Sequence, residues 1–581
     1  MKIAPFLGKL FTAAFLVAVT PFVATAANDS KATLRVTLQD RVPFSTQLKE
    51  EAVKLKTLAD SSTNKKAAAA LRREAKRLEA DAAKIEDSAI SVRNRVEQWV
   101  PSETAIVICD MWNKHWCKHA TARVGELAPA LNEVITIARE KGISIVHAPS
   151  ETLGFYKDHP ARKKAEKYQV RARDRWAHQL PTERGAKWPV DAGRNGGCPE
   201  CKQGRAWSRQ IDTITIKDED IVSDNGHEIR GYFKEKGIKN VILTGVHTNM
   251  CVIGRPFGLR AMKSSGFNVV LLRDMTDLMY NNVISKPIES PKVTHFSGLD
   301  LMVEYIETYV TPSIVSSDFT GKKQFRFKED VRPRVAFLTA ESEYRASQRL
   351  HEFGHELTLK EIRADYATGN PIMEGPGRHN LENLQILEDA NLAVFFIRRR
   401  ALEPEKMAQI KSYIASGRPV LGIRTASHAF DAKGNVPRSG GGIVAAKEKT
   451  SNLLAQWPEF DKTVLGGNYK GHYGHLKTGT DVYIVPGQEK HPILEGVDPA
   501  FNSPNWLYKN TPLRTKKATV LLKGKNPGVP DEPVFWINEA GKGKVIYTSL
   551  GHWDDWKIDS FKKLMFNTVN YLLKEGAKTK N

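Results

Sequence analysis

A chain of 581 residues, 41% hydrophobic and 26% charged, is too long for one core and too apolar to be disordered, so two or three domains are expected. Its formal net charge of +21 attracts anionic partners without specifying one; no nucleic-acid-binding motif accompanies it, which puts an anionic polysaccharide or envelope surface ahead of nucleic acid. Five cysteines, all in the first half, exclude a disulfide scaffold, and their odd number leaves at least one thiol unpaired within a single chain.

Residues 1–26 carry Lys2 and Lys9, an apolar run from Leu10 to Val23 and then Ala24-Thr25-Ala26, the three regions of a secretory signal. Cleavage before Ala27 and an exported, periplasmic or secreted location are expected. Residues 27–100 form an N-terminal extension: a strand at 31–41, then Lys/Glu/Ala-rich helix from Leu48 to Trp99, broken near Asp60–Asn64. Ala68, Leu71, Ala75, Leu78, Ala82, Ile85, Ala89, Val92, Val96 and Trp99 make a 3,4-spaced apolar seam. That seam closes on its own first arm as a helical hairpin, or joins two copies as a homo-oligomer through residues 66–99. Its shallow, alanine-heavy surface favours the hairpin.

From 101 to 315 buried strands alternate with helices: "AIVICD" (105–110), "ISIVHA" (143–148), "TITIK" (213–217), "NVILTG" (240–245) and "NVVLLRD" (268–274). Repeated β-α units imply a mainly parallel sheet covered on both faces. An Arg/Lys/Trp-rich insert, 149–209, interrupts the rhythm as a lid or specificity loop. Within it, Cys198-Pro-Glu-Cys201 reads as a local disulfide, since a zinc site takes four ligands and a second Cys-x-x-Cys is lacking. A linker at 316–332 leads to a second α/β run, 333–575, with strands "RVAFLT", "NLAVFFI", "RPVLGI", "PVFWI" and "KVIYTSL", and a basic tail at 576–581. The fold class expected is therefore α/β: two Rossmann-like domains with mainly parallel sheets, plus the N-terminal helical hairpin.

Reactive groups in an open α/β sheet gather at the carboxyl ends of its strands. Asp110 ends one strand, Lys217 ends another, and Cys251 follows a third across the turn "GVHTNM". A helix N-terminus and a nearby ammonium lower a thiol pKa, and a carboxylate can accept the thiol proton and return it to a leaving amine. Thiol, carboxylate and ammonium together suit a hydrolase. Each also has a plainer reading: a helix cap, a surface lysine, a buried structural thiol.

"AIVICDMWN", "ITIK" and "ILTGVHTNMCV" resemble the isochorismatase-like cysteine hydrolases, Rossmann-like amidases. The resemblance implies Cys251 as nucleophile, Asp110 and Lys217 as its partners, a cis Val246–His247 peptide, and an oxyanion hole from the amides of His247 and Cys251. The Asp-x-His metal motif of the nicotinamidases in that family is lacking in "HAPSETLGFYKDHP", so no cofactor is expected in the first domain. Pro256 breaks any long helix after the nucleophile.

"RPVLGIRTASHAF", "HPILEGV" and "GKGKVIYTSLGHW" resemble the ThuA-like domains, relatives of class I glutamine amidotransferases associated with sugar utilisation. Where an amidotransferase elbow carries cysteine, this one reads Gly422-Ile-Arg424-Thr425-Ala426, and no cysteine follows residue 251. Arg424, Thr425, His428, His472, His475 and His552 are the candidate pocket at the sheet's carboxyl edge, a metal there being the less favoured reading. The function expected is an exported cysteine hydrolase cleaving a C–N bond of a small amide, fused to a domain for a sugar-derived ligand. The alternative is a non-catalytic envelope carbohydrate-binding protein built from two degenerate enzyme folds.

Overall fold

A computed structural model of the chain describes residues 33–168, 175–190, 198, 200–281, 292–432, 436–437, 443–444, 454–474 and 478–578. The signal segment, the stretch 191–197, His475 and the end of the basic tail lie outside the described residues. Among the described residues no helix is long and apolar enough to cross a membrane.

The chain opens with β1 (Leu34–Pro43), α1 (Phe44–Asp60), α2 (Lys65–Ala82) and β2 (Ile90–Trp99). Asn64 caps α2 by accepting from the amides of Lys66 and Ala67. The hairpin expected from the seam is present, but shorter than read: α2 stops at Ala82, and Ile90–Trp99 is strand. The reason is the partner. β2 pairs antiparallel with all of β1, from Leu34 opposite Trp99 to Pro43 opposite Ile90, so a ten-residue ladder outweighs the helical period. The seam itself is buried within the chain, where Leu55, Leu71, Ala75 and Leu78 share a core with Ile372.

The first domain continues with β3 (Thr104–Cys109), α3 (Lys118–Glu140), β4 (Ser144–Ala148), α4 (Pro160–Glu166), β5 (Ile221–Val222), α5 (Gly226–Lys236), β6 (Asn240–Val246), α6 (Leu259–Ser264), β7 (Asn268–Asp277), α7 (His295–Tyr309) and β8 (Ser313–Ile314). The sheet order is β2-β1-β8-β7-β6-β3-β4-β5. All strands from β8 to β5 run parallel, and the β1–β2 ribbon is added antiparallel against β8. "TITIK" forms no strand. The Thr215 amide donates to the Asn132 side chain and the Lys217 amide to Asp220, so side chains satisfy the backbone that a ladder was expected to occupy. The strand beside β4 is instead the two-residue β5.

A short helix α8 (Ser317–Thr320) precedes the second sheet. There follow β9 (Arg334–Ala340), α9 (Ala346–Thr358), β10 (Arg363–Thr368), β11 (Leu392–Ile397), α10 (Pro404–Ala415) and β12 (Val420–Ile423). A small ribbon, β13 (Val436–Pro437) with β14 (Ile443–Val444), leads to β15 (Thr480–Ile484), β16 (Ala500–Ser503), β17 (Thr519–Lys525), β18 (Glu532–Ala540), β19 (Gly543–Thr548) and α11 (Asp559–Lys578). In the order β10-β9-β11-β12-β19-β18-β17-β15-β16, the first five strands are parallel and the rest antiparallel. Two mainly parallel, Rossmann-like sheets are thus present, the second with an antiparallel extension.

Candidate functional site

The turn that carries Cys251 is built by an apolar strand ending abruptly. β6 is buried throughout, the Val246–His247 peptide is cis as the resemblance implied, and residues Thr248–Val252 form one wide helical turn capped by His247. Thr248 Oγ1 anchors this turn to β7 through Thr276 Oγ1 at 2.7 Å and the Asp277 carbonyl at 2.9 Å. Pro256 lies between the turn and α6, which restarts only at Leu259.

Asp110 leaves the end of the neighbouring strand β3 with φ +48°, fully buried. Its Oδ1 accepts from the Ser150 amide at 2.8 Å, its Oδ2 lies 3.4 Å from Arg255 Nε, and its carboxylate hydrogen-bonds the Cys251 thiol. Cysteine and aspartate therefore meet as expected. Lys217 does not join them. It is exposed on the loop before β5, and the cation of the site is Arg255, four residues after the cysteine and hydrogen-bonded to its sulfur.

What the carboxyl end of β5 delivers is Asp224. Its Oδ2 accepts from the Glu151 amide at 2.7 Å, and Glu151 Oε1 lies 3.7 Å from Arg255 Nη2. Arg255 thus faces Asp110, Glu151 and the field of Asp224, and its outer face stacks on Trp176 at 4.9 Å. The insert supplies that tryptophan and also Trp207, which stacks on Trp112 at 4.3 Å beside His115. Cys251 is left 6% exposed.

This burial corrects one expectation. The Cys251 thiol is not poised as a thiolate: burial first, and then the Asp110 charge, push it well up, against the pull of Arg255. Burial also raises Asp110 above the usual carboxylate range, although Arg255 and the Ser150 amide work the other way. The His247 ring is pushed down to about 3 by burial and is neutral, its edge against His115. The arrangement suits proton transfer from thiol to carboxylate during attack, with Arg255 balancing the charge that moves.

In the second domain β12 and β19 are parallel neighbours, so the segments after them emerge at one edge. Arg424, with φ +45°, is fully buried: Nη1 donates to the Ser549 carbonyl at 2.7 Å and Nη2 to Asn505 Oδ1 at 2.8 Å, and it lies over Tyr344 and Tyr508. Thr425 is buried beside it. The histidines surround this arginine on separate rings. His428 stacks on Tyr469 at 4.7 Å, His472 lies on Trp506 at 4.5 Å, and His552 lies on Trp553 at 3.6 Å with Tyr344 at its edge. Among the described residues they do not come within ligand distance of one shared ion. The elbow residue expected to bind ligand is instead the buried prop of an aromatic wall. A cavity of about 540 Å³ beside it is lined by Tyr344, Asn505, Trp506, His552 and Trp553, and on the far side by Arg77 of the hairpin.

Comparison with known families finds the isochorismatase domain at residues 104–279 and the ThuA (trehalose utilisation) domain at 432–572. No curated protein matches the chain. Similar solved structures include a ThuA-like protein from Parabacteroides merdae, 13% identical over 42% of this chain and 90% of its own, with TM-score 0.29. Another is a cysteine hydrolase from Pseudomonas syringae, 13% identical over 38% of this chain and 91% of its own, with TM-score 0.25. An isochorismatase family protein from Burkholderia thailandensis is 12% identical over 38% and 95%, with TM-score 0.23. The chain carries an isochorismatase-like hydrolase domain followed by a ThuA-like domain.

Proposed function

We propose that the first domain is a cysteine hydrolase that cleaves a C–N bond in a small amide. The observation that carries this reading is the mutual contact of Cys251, Asp110 and Arg255 at the carboxyl edge of the parallel sheet. Asp110 takes the thiol proton as the sulfur attacks the carbonyl, and returns it to the leaving amine. The resulting thioester is then cleaved by water. The amides of His247 and Cys251, on the turn after β6, are the oxyanion donors in this scheme. Glu151 and Asp224 beside Arg255 disfavour an anionic substrate, so a neutral or cationic amide fits best. The test is turnover of a panel of such amides by wild type, Cys251→Ala and Asp110→Asn. Loss in both variants supports the thiol mechanism.

The lack of a lysine at the β5 edge favours a second reading, a binding protein on degenerate enzyme folds, and no turnover above background by the wild type on the whole panel decides for it. We further propose that the ThuA-like domain takes a sugar-derived ligand in the cavity of Tyr344, Trp506 and His552, and that the chain is exported. Mature protein beginning at Ala27 checks the latter.

A further inference from the structure

Three of the five cysteines converge away from the catalytic turn. Cys117 precedes α3, and Cys198 and Cys201 come from the insert, yet their sulfur atoms lie within 4.8 Å of one another. All three are free thiols, so the local disulfide expected for Cys198-Pro-Glu-Cys201 is not formed. Cys117 and Cys198 are buried, and Met279, Ala120, Trp116 and Cys201 pack around them. The Lys118 amide, at the first position of α3, donates to Cys201 Sγ at 3.4 Å.

Zinc bound by thiolates at about 2.3 Å in a tetrahedron sets its sulfurs roughly 3.8 Å apart, within the span seen here. The sequence supplies the matching spacing, Cys198-x-x-Cys201 and Cys117-x-His119. His119 lines the same cavity as Cys117 and Cys198, and its Nε2 lies 3.7 Å from the carboxylate of Glu200, inside the Cys-x-x-Cys turn. Glu200 is itself tied to Lys118 Nζ at 2.5 Å.

We propose that Cys117, Cys198 and Cys201 hold a structural zinc ion, with His119, whose ring lies in the same cavity but outside the three-sulfur cluster, turning in as the fourth donor. Binding displaces three thiol protons to solvent and needs no oxidant. The ion pins the insert to the start of α3, close in sequence to Trp112 and His115, which stack on Trp207 of the insert. It therefore fixes one wall of the catalytic site without touching the chemistry.

The experiment is elemental analysis of the full chain purified with added zinc, followed by cobalt(II) titration of the reduced, metal-free protein. Expected are one zinc per chain after dialysis, a thiolate-to-cobalt charge-transfer band with tetrahedral visible bands, and loss of both in Cys201→Ser. His119→Ala is expected to weaken affinity about ten- to a hundredfold while keeping the charge-transfer band. Far-ultraviolet circular dichroism separates a variant that fails to fold from one that fails to bind. Metal-free protein whose mass is lower by two hydrogens, with Cys198 and Cys201 joined in the peptide map, overturns the proposal. So does a reduced, folded wild-type protein that gives no charge-transfer band.

Discussion

Arg255 shows how a side chain acquires its role from its neighbours. It keeps its charge because the Asp110 carboxylate outweighs the burial that opposes it. Arg255→Ala is expected to lower kcat/KM by about ten- to a hundredfold, whereas Lys217→Ala leaves it within about twofold; steady-state kinetics on one amide distinguish them. Asp110→Asn costs two to four decades, roughly, as expected of a lost general base. Because Asp110 is raised, kcat/KM is lost on acidification already above the ordinary aspartate range, and because Cys251 is raised, its alkylation by iodoacetamide has a midpoint above that of a free thiol. A midpoint near neutrality contradicts the described site. Glu341 carries the matching stability effect in the second domain. Burial raises its carboxyl to about 7, so the fold favours the protonated form. That stabilisation is complete below the unfolded value of about 4.3 and is lost as pH rises towards about 7. Thermal melts across this window are expected to flatten in Glu341→Gln.

At the scale of elements, the Cys251 turn was legible because the apolar run of β6 ends abruptly and the cysteine follows five residues later, at the carboxyl edge of the sheet. The elements around it were not. β5 is two residues long, below the length at which any period can be read, and "TITIK" alternates well yet satisfies its backbone through Asn132 and Asp220. An arginine one turn after a cysteine reads as ordinary surface until the fold supplies the acids that face it. The hairpin was legible as far as α2, because its seam is a local pattern. Its second contact, with the second domain, depends on residues far along the chain: Glu74 Oε1 accepts the Met373 amide at 2.7 Å, and Arg77 Nη2 reaches Ser342 Oγ at 3.1 Å. Leu78→Ala, at a fully buried seam position, is expected to cost about 2–5 kcal/mol in denaturant unfolding.

Across the whole molecule, the β1–β2 ribbon joins the two sheets. Arg41 Nε pairs with Glu307 of α7 at 2.9 Å, and its Nη1 lies 2.6 Å from Nδ1 of His351 in α9, whose ring burial holds neutral at about 3. On the other strand the Asn94 amide donates to Thr368 Oγ1 at 2.7 Å and its Nδ2 to the Tyr366 carbonyl at 2.8 Å. A contact this polar and this buried couples the domains, so calorimetry is expected to record one transition. Arg41→Ala leaves Glu307 buried without its partner, costs about 3–5 kcal/mol, and is expected to split the transition in two.

The same ribbon bears on the order in which the chain can fold. β1 is made early in synthesis, yet its sheet neighbour is β8, with Gln39 opposite Ser313. Until β8 has been made, β1 has only β2 beside it, and a lone ribbon of two strands is marginal in water. A nascent or truncated chain ending near residue 279 would hold the Cys251 turn but leave one edge of β1 open to other strands. Docking of the ribbon onto the first domain's sheet is therefore expected to await β8, although the ribbon precedes every other strand of that sheet in the chain.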